Sequence, residues 1–290
     1  MEENRGFIRT DLAQECREAS GMSEIKGVKY IEKEEKGFRI LYMEIENEEA
    51  SRIIGKDMGR YVTVETGKIW LLDEARRDGL RDILVKYIDK LCGQANSILV
   101  VGLGNRSITS DALGPKAVDK LLVTRHLRSL APELFESISH REISALCPGV
   151  VGQTGIETFE LIRGATESVK PDLVIAIDAL AARSVDRLAS TVQISDSGIA
   201  PGSGIGNRRR SINKGSLGVP VLALGIPTVV DSATLVYDAL ERAGIVKIDD
   251  SLTKVLENSK SFFVSLKESD TAVEESAHLL SEALNTLFSL

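Results

Sequence analysis

The sequence predicts an α/β protein: a doubly wound, mostly parallel sheet with helices on both faces, extended at its N-terminus by a β-rich segment. Three observations predict it. Continuous apolar runs at residues 98–101, 143–146, 173–177 and 219–224 have the pattern of strands covered on both faces. Predicted helices follow the first two runs, so strands and helices alternate. Residues 28–45, by contrast, alternate apolar and polar side chains, as half-buried antiparallel strands do.

Taken in order, the first 25 residues are polar, and Leu12 to Ala19 fit a short helix that Gly21 stops. Residues 28–33 and 38–45 flank Glu34-Glu35-Lys36-Gly37 and read as a hairpin. Tyr61 to Glu65, ahead of Gly67, reads as a third strand. Asp73 is placed to cap a helix reaching Cys92, with Leu80, Ile83, Leu84, Tyr87, Ile88 and Leu91 on one stripe and Gly93 at its end. The rhythm changes at residue 97, which separates an N-terminal hairpin-and-helix segment, 12–96, from an α/β core, 97–290. Within the core, Gly102-Leu103-Gly104-Asn105 closes the first buried strand and a helix opens near Pro115. Cys147-Pro148-Gly149 follows the second run and leads to a helix over 154–169. The last helix, from about Thr271, sets Val273, Ala277, Leu280, Ala283, Leu284 and Leu287 on one face.

The 290 residues carry 43% hydrophobic and 27% charged side chains, a soluble globular composition. A chain of that length can bury about three quarters of its unfolded surface. A net charge of −7 argues against binding to the nucleic-acid backbone, which needs a positive field. The three cysteines, Cys16, Cys92 and Cys147, form no CxxC pair and suggest neither a zinc knuckle nor a disulfide framework. The start Met1-Glu2-Glu3-Asn4-Arg5 lacks the basic, then apolar pattern of a signal peptide, and no run approaches the roughly 18 apolar residues of a membrane span. The reading is a reduced, intracellular protein with neither nucleic acid nor membrane as a partner.

In a doubly wound sheet, ligands sit beyond the carboxyl ends of the strands. The segments there are 102–114, 147–155, 178–186 and 225–231, and they hold the unusual residues. Asp111 precedes Gly114-Pro115, so it is either a cap or turn residue or a functional carboxylate. Asp178 directly follows a buried run, where a carboxylate is costly unless paired; function or a structural partner such as Arg183 would account for it. Two carboxylates converging on one cleft suit hydrolysis. Repulsion and burial raise one pKa, leaving an acid and a base that titrate as a unit.

Other chemistries fit less well. Gly102-Leu103-Gly104 lacks a third glycine, because Ser107 stands there, and Gly202-Ser203-Gly204-Ile205-Gly206 neither follows a buried strand nor opens a helix. A long loop with a solvated Arg208-Arg209-Arg210 is the plain reading of 199–214. There is no Gly-x-Ser-x-Gly elbow and no His-Glu-x-x-His. His126 and His278 fall in predicted helices and His140 just before a strand, so none follows a buried strand. Cys147 reads as a buried structural thiol.

Longer motifs carry more information. Val101-Gly102-Leu103-Gly104-Asn105, Asp111-Ala112-Leu113-Gly114-Pro115-Lys116-Ala117-Val118-Asp119 and Pro148-Gly149-Val150 with Gln153-Thr154-Gly155-Ile156-Glu157-Thr158 closely resemble the spore germination protease family. So do Ala176-Ile177-Asp178-Ala179-Leu180-Ala181-Ala182-Arg183, Gln193-Ile194-Ser195-Asp196-Ser197-Gly198 and Gly225-Ile226-Pro227-Thr228-Val229-Val230-Asp231. Arg9-Thr10-Asp11-Leu12-Ala13 and Gly59-Arg60-Tyr61-Val62-Thr63 fit its amino-terminal part. The resemblance implies an endopeptidase of the spore cytoplasm that degrades small acid-soluble spore proteins during germination. It implies a homotetramer made as a self-cutting zymogen, and an atypical aspartic mechanism on Asp111 and Asp178 with no cofactor or metal. It further implies a propeptide, 1–11, released between Asp11 and Leu12, and a core like that of hydrogenase-maturation peptidases. Asn105, Arg183 and Asp231 are candidate cleft residues. After about Val246 the chain lacks a long family insertion. A metal-dependent peptidase of hydrogenase-maturation type and a nucleotide-binding module are the alternatives.

Overall fold

Parallel and antiparallel strands meet in one sheet. The computed structural model describes residues 9–22, 24–139, 141–202, 210–245, 251–252, 254–255 and 262–289. Its strands are β1 (Val28–Glu35), β2 (Phe38–Ile45), β3 (Gly59–Glu65), β4 (Ser97–Gly102), β5 (Glu142–Leu146), β6 (Leu173–Ala182), β7 (Thr191–Ser195), β8 (Val221–Asp231) and β9 (Phe263–Val264). They lie in the order β1-β2-β3-β7-β8-β6-β4-β5, with β9 paired to the far end of β8. The β5-β4-β6-β8 block is parallel, as the four apolar runs predict. The remaining pairings are antiparallel. The N-terminal strands therefore continue the core sheet, joined to it where β3 pairs with β7.

The helices are α1 (Ala13–Ser20), α2 (Glu48–Ile54), α3 (Glu74–Cys92), α4 (Leu113–Val118), α5 (Leu127–Leu130), α6 (Pro132–Ile138), α7 (Val151–Thr154), α8 (Thr158–Val169), α9 (Lys214–Leu217), α10 (Ser232–Arg242) and, last, α11 (Ser269–Phe288). Asp73 caps α3, accepting from Arg76 N at 2.8 Å. Alternate strand residues feed opposite faces of the sheet, which is why the runs are continuously apolar. On one face Ile98, Val100, Ile175, Ile177, Leu222 and Leu224 meet Leu80 and Leu84 of α3 and Leu280 and Leu284 of α11. On the other, Leu99, Val101, Val174 and Ala176 meet Phe159 and Ile162 of α8. Among the described residues no helix is long and apolar enough to cross a membrane.

Several elements differ from the sequence reading. β6 does not stop at Ile177. β4 ends at Gly102 opposite Ile177, but β6 stays paired with β8 through Ala182, across a register shift at Leu180/Ala181. Asp178 is thus the first residue of an overhang, inside a strand rather than after one. The helix expected from residue 154 is interrupted: α7 ends at Gly155 in the left-handed region (φ +70°), and α8 starts at Thr158. His126 precedes α5 instead of lying within a helix. His140, Val246, Arg208, Arg209 and most of the 202–206 glycine cluster lie outside the described residues. Arg210 is described and stacks on Phe159, 4.0 Å from the ring centre, so it is not simply solvated.

Glycine contacts test this packing. A methyl on Gly114 of α4 would lie 2.4 Å from Leu103 O and 2.5 Å from Ile177 O, so this turn rests directly on the strand ends. A methyl on exposed Gly164 of α8 meets nothing within 4 Å. Gly114→Ala should therefore cost at least about 1–3 kcal/mol. Gly164→Ala should gain about 0.5–1 kcal/mol through helix propensity. Denaturant midpoints of the two variants should move in opposite directions.

Candidate active site

Asp111 is held by the loop that leaves β4. Leu103 N still donates to Ile177 O (2.8 Å), prolonging the ladder by one bond. The chain then reverses at Gly104 (φ +111°), where a Cβ would lie 2.1 Å from Asp111 O. This tight approach lets Asn105 N donate to Asp111 Oδ2 at 2.7 Å. Asp111 itself closes a 3₁₀ turn, Thr109–Asp111, and α4 is preceded by Ala112 with no side-chain cap. The carboxylate is bonded to the loop. Asn105 is anchored in turn, its Oδ1 accepting from Gln153 Nε2 (2.7 Å) and Ser107 N (3.0 Å).

Asp178 is buried, 7% exposed, and its Oδ1 accepts from Ala179 N at 2.9 Å. It stands opposite Gly225 on β8. Asp111 and Asp178 line one cavity of about 240 Å³, together with Leu103, Gly104, Gly149, Thr158, Thr228 and Phe263. Two carboxylates lining one cavity can divide into a proton donor and a base that activates water.

A third carboxylate lines the same cavity: Asp11. The N-terminal segment lies along the overhang of β6, with Asp11 N donating to Ala181 O (2.8 Å) and Ala181 N donating back to Asp11 Oδ2 (2.9 Å). Leu12 is fully buried against Leu180, Ala182, Leu188 and Val230. The Asp11 carbonyl accepts from Gln193 Nε2 at 3.1 Å, and Ala13 N donates to Gln193 Oε1 at 2.7 Å. Further on, buried Glu15 accepts from Arg183 N (2.7 Å), Ser184 N (3.1 Å) and Thr10 Oγ1, with Arg187 Nε at 3.2 Å. Burial pushes its carboxyl pKa up, against the pull of those donors and of the Arg187 charge.

The other candidates are placed elsewhere. Asp231 is buried as the cap of α10, accepting from Thr234 N (3.0 Å) with Arg9 at 3.8 Å, and it is outside the cavity lining. Arg183 points its guanidinium to Asp238 (3.4 Å) and Glu241, in a separate cleft with Glu15, Arg187 and Arg242. Cys147 is half-buried, and burial raises its thiol pKa, which disfavours a thiolate. Among the described residues no three His, Cys, Asp or Glu side chains are grouped as they would be around a metal ion. Sequence reasoning noted Gln193 only within a resembling motif and missed β7, and with it the residue's place at the site. The signal was Val192 and Ile194 alternating with Thr191, Gln193 and Ser195, too short and too polar to stand out.

The family model described as germination protease, peptidase family A25, matches residues 8–284. A germination protease of Priestia megaterium is 49% identical over 247 residues, 81% of this chain and 66% of the relative. One of Caldanaerobacter subterraneus subsp. tengcongensis is 48% identical over 236 residues, 81% of this chain and 72% of its own length. One of Clostridium tetani is 39% identical over 284 residues, 96% of this chain and 85% of its own length. The chain thus spans about two thirds of the first relatives it matches. Among solved structures, a NiFe hydrogenase maturation protease from Thermococcus kodakarensis aligns with 59% of this chain and 99% of its own, at 17% identity and a TM-score of 0.34. On the family match and these identities, the chain belongs to the germination protease family.

Proposed function

We propose that this chain is an endopeptidase that starts the degradation of small acid-soluble spore proteins during germination. In this reading it works in the spore cytoplasm as a homotetramer and is made as a zymogen that cuts itself between Asp11 and Leu12. Family membership supports the protease activity and the link to germination. The observation that carries the mechanism is the cavity shared by Asp11, Asp111 and Asp178. Asp11 lining the same cavity as the two carboxylates is what supports cutting of the chain by itself at this position.

The chemistry is hydrolysis by an aspartate pair. One carboxylate takes a proton from water as its oxygen adds to the Asp11 carbonyl carbon; the other delivers a proton to the Leu12 nitrogen as the C–N bond breaks. Burial of Leu12 in its apolar pocket and the bonds of Asp11 to the Ala181 peptide support this reading, since holding the bond in one orientation is part of catalysis. Cutting there releases a short, mostly polar segment, so maturation can be local.

Asp111→Asn and Asp178→Asn keep the acceptor oxygens that Asn105 N and Ala179 N use, so both variants should fold. Each should lose about 10²–10⁴-fold in cleavage rate or more. Full activity in either folded variant would remove that residue from the mechanism. N-terminal sequencing of activated protein should begin Leu12-Ala13-Gln14-Glu15, while Asp111→Asn stays full length unless active enzyme is added in trans. A retained Met1, or a cut beyond Val28, would refute the processing site. Dialysis against a strong chelator should leave cleavage of small acid-soluble spore protein unchanged; loss that zinc restores would favour the metallopeptidase alternative instead.

A further inference from the structure

Gln193 brackets Leu12, bonding the carbonyl of the Asp11–Leu12 peptide and the N–H of the next one. Its Nε2 donates to the Asp11 carbonyl at 3.1 Å and its Oε1 accepts from Ala13 N at 2.7 Å. The orientation of the amide is forced: Ala13 N offers only a proton, so it must face Oε1, which leaves the NH₂ group on the carbonyl. Gln193 is 8% exposed and sits in β7, so the donor is held by a paired strand.

The sheet register relates it to the aspartates. Asp178 on β6 and Gln193 on β7 are both directly opposite Gly225 on β8. Residues opposite one another point to the same face, and two strand spacings make about 10 Å. Between them Gly225 has no side chain, and a Cβ there would lie 2.5 Å from Leu180 Cδ1. Leu180 covers the gap and forms part of the Leu12 pocket. One cross-strand row thus supports a carboxylate on one side and an amide donor on the other; Asp11 bonds the amide and lines the same cavity as the carboxylate.

Resting on the processing site proposed above, we infer that Gln193 is a catalytic residue of the hydrolysis, the donor that stabilises the oxyanion on the scissile carbonyl. As water adds to the Asp11 carbon, the carbonyl π pair moves onto oxygen and the Nε2–H bond strengthens. It weakens again when that pair re-forms C=O and expels the Leu12 amine, protonated by an aspartate. A neutral amide suits this task, because it binds the growing charge without binding the resting carbonyl tightly.

The test separates this role from simple anchoring of the N-terminal segment. Gln193→Met and Gln193→Glu would be matured in trans by tagged wild-type enzyme, which is then removed. They would be assayed on a synthetic peptide with the sequence of residues 9–16, which carries the acid-then-leucine bond. Loss of one oxyanion donor predicts a fall of about 10²–10³ in kcat with KM changed less than about threefold. Gln193→Glu keeps an acceptor for Ala13 N and a similar volume. Its rate relative to wild type at the same pH should rise as acidification protonates Glu and restores a donor, whereas the Gln193→Met ratio stays flat. A loss confined to KM, or a kcat within threefold of wild type in a folded variant, overturns the inference. If wild-type protein is never cut between Asp11 and Leu12, the processing site has failed instead, and the two failures are told apart by the same N-terminal sequencing.

Discussion

The site depends on one mismatch of strand lengths. β4 stops at Gly102 because the following turn packs its backbone directly on Gly114 of α4, with no room for a side chain at either glycine. β6 and β8 continue together for several further residues. The overhang therefore has a backbone edge no longer taken by β4, and Ala181 uses it to bind Asp11 in both directions. Asp178 is at its root, and Asp111 is folded over it by the loop that the short strand releases. Had β4 run as far as β6, the edge would be consumed by sheet pairing. There would then be no place for the N-terminal segment beside the carboxylates.

Charge holds that segment from its other side. Glu15 is almost fully buried yet surrounded by donors: two backbone amides, a threonine hydroxyl and the Arg187 guanidinium. Arg187 also reaches Gln14, Glu18 and Glu65, so one arginine links α1 to the end of β3. A buried carboxylate is tolerated only with such compensation, and breaking it would leave an uncompensated charge. On the other side of Leu12, Asp11 is held by the Ala181 peptide and Gln193, and Arg9 contributes its amide to Thr234 Oγ1 at 3.2 Å.

How much of this was legible in the sequence follows from which forces write a pattern. The four buried parallel strands were legible because burial on both faces demands unbroken apolar runs. Asp111 and Asp178 stood out as acids where such runs end, and the structure brings them to one cavity. Asp231 had the same credentials, yet it caps α10; local position cannot distinguish a cap from a cavity wall. Gln193 was noted only within a resembling motif, and its place was illegible for the opposite reason. It belongs to a five-residue strand with two apolar positions, and its partners are 180 and 182 residues away in sequence. Arg210 looked like part of a solvated basic run because only tertiary packing brings Phe159 beneath it.

The antiparallel join between β3 and β7 has a consequence for the order in which the molecule assembles. Neighbouring strands of the parallel core are linked by shorter crossovers, whereas β7 must find β3 across more than a hundred intervening residues. Loop closure of that length is slow and is rewarded only once the pairing forms. The N-terminal hairpin, and the segment that Gln193 on β7 holds, therefore join the sheet across a longer stretch of chain than any of the parallel pairings. Asp11 lines the aspartate cavity, so that cavity gains its last wall only when the N-terminal segment and Gln193 on β7 have come together.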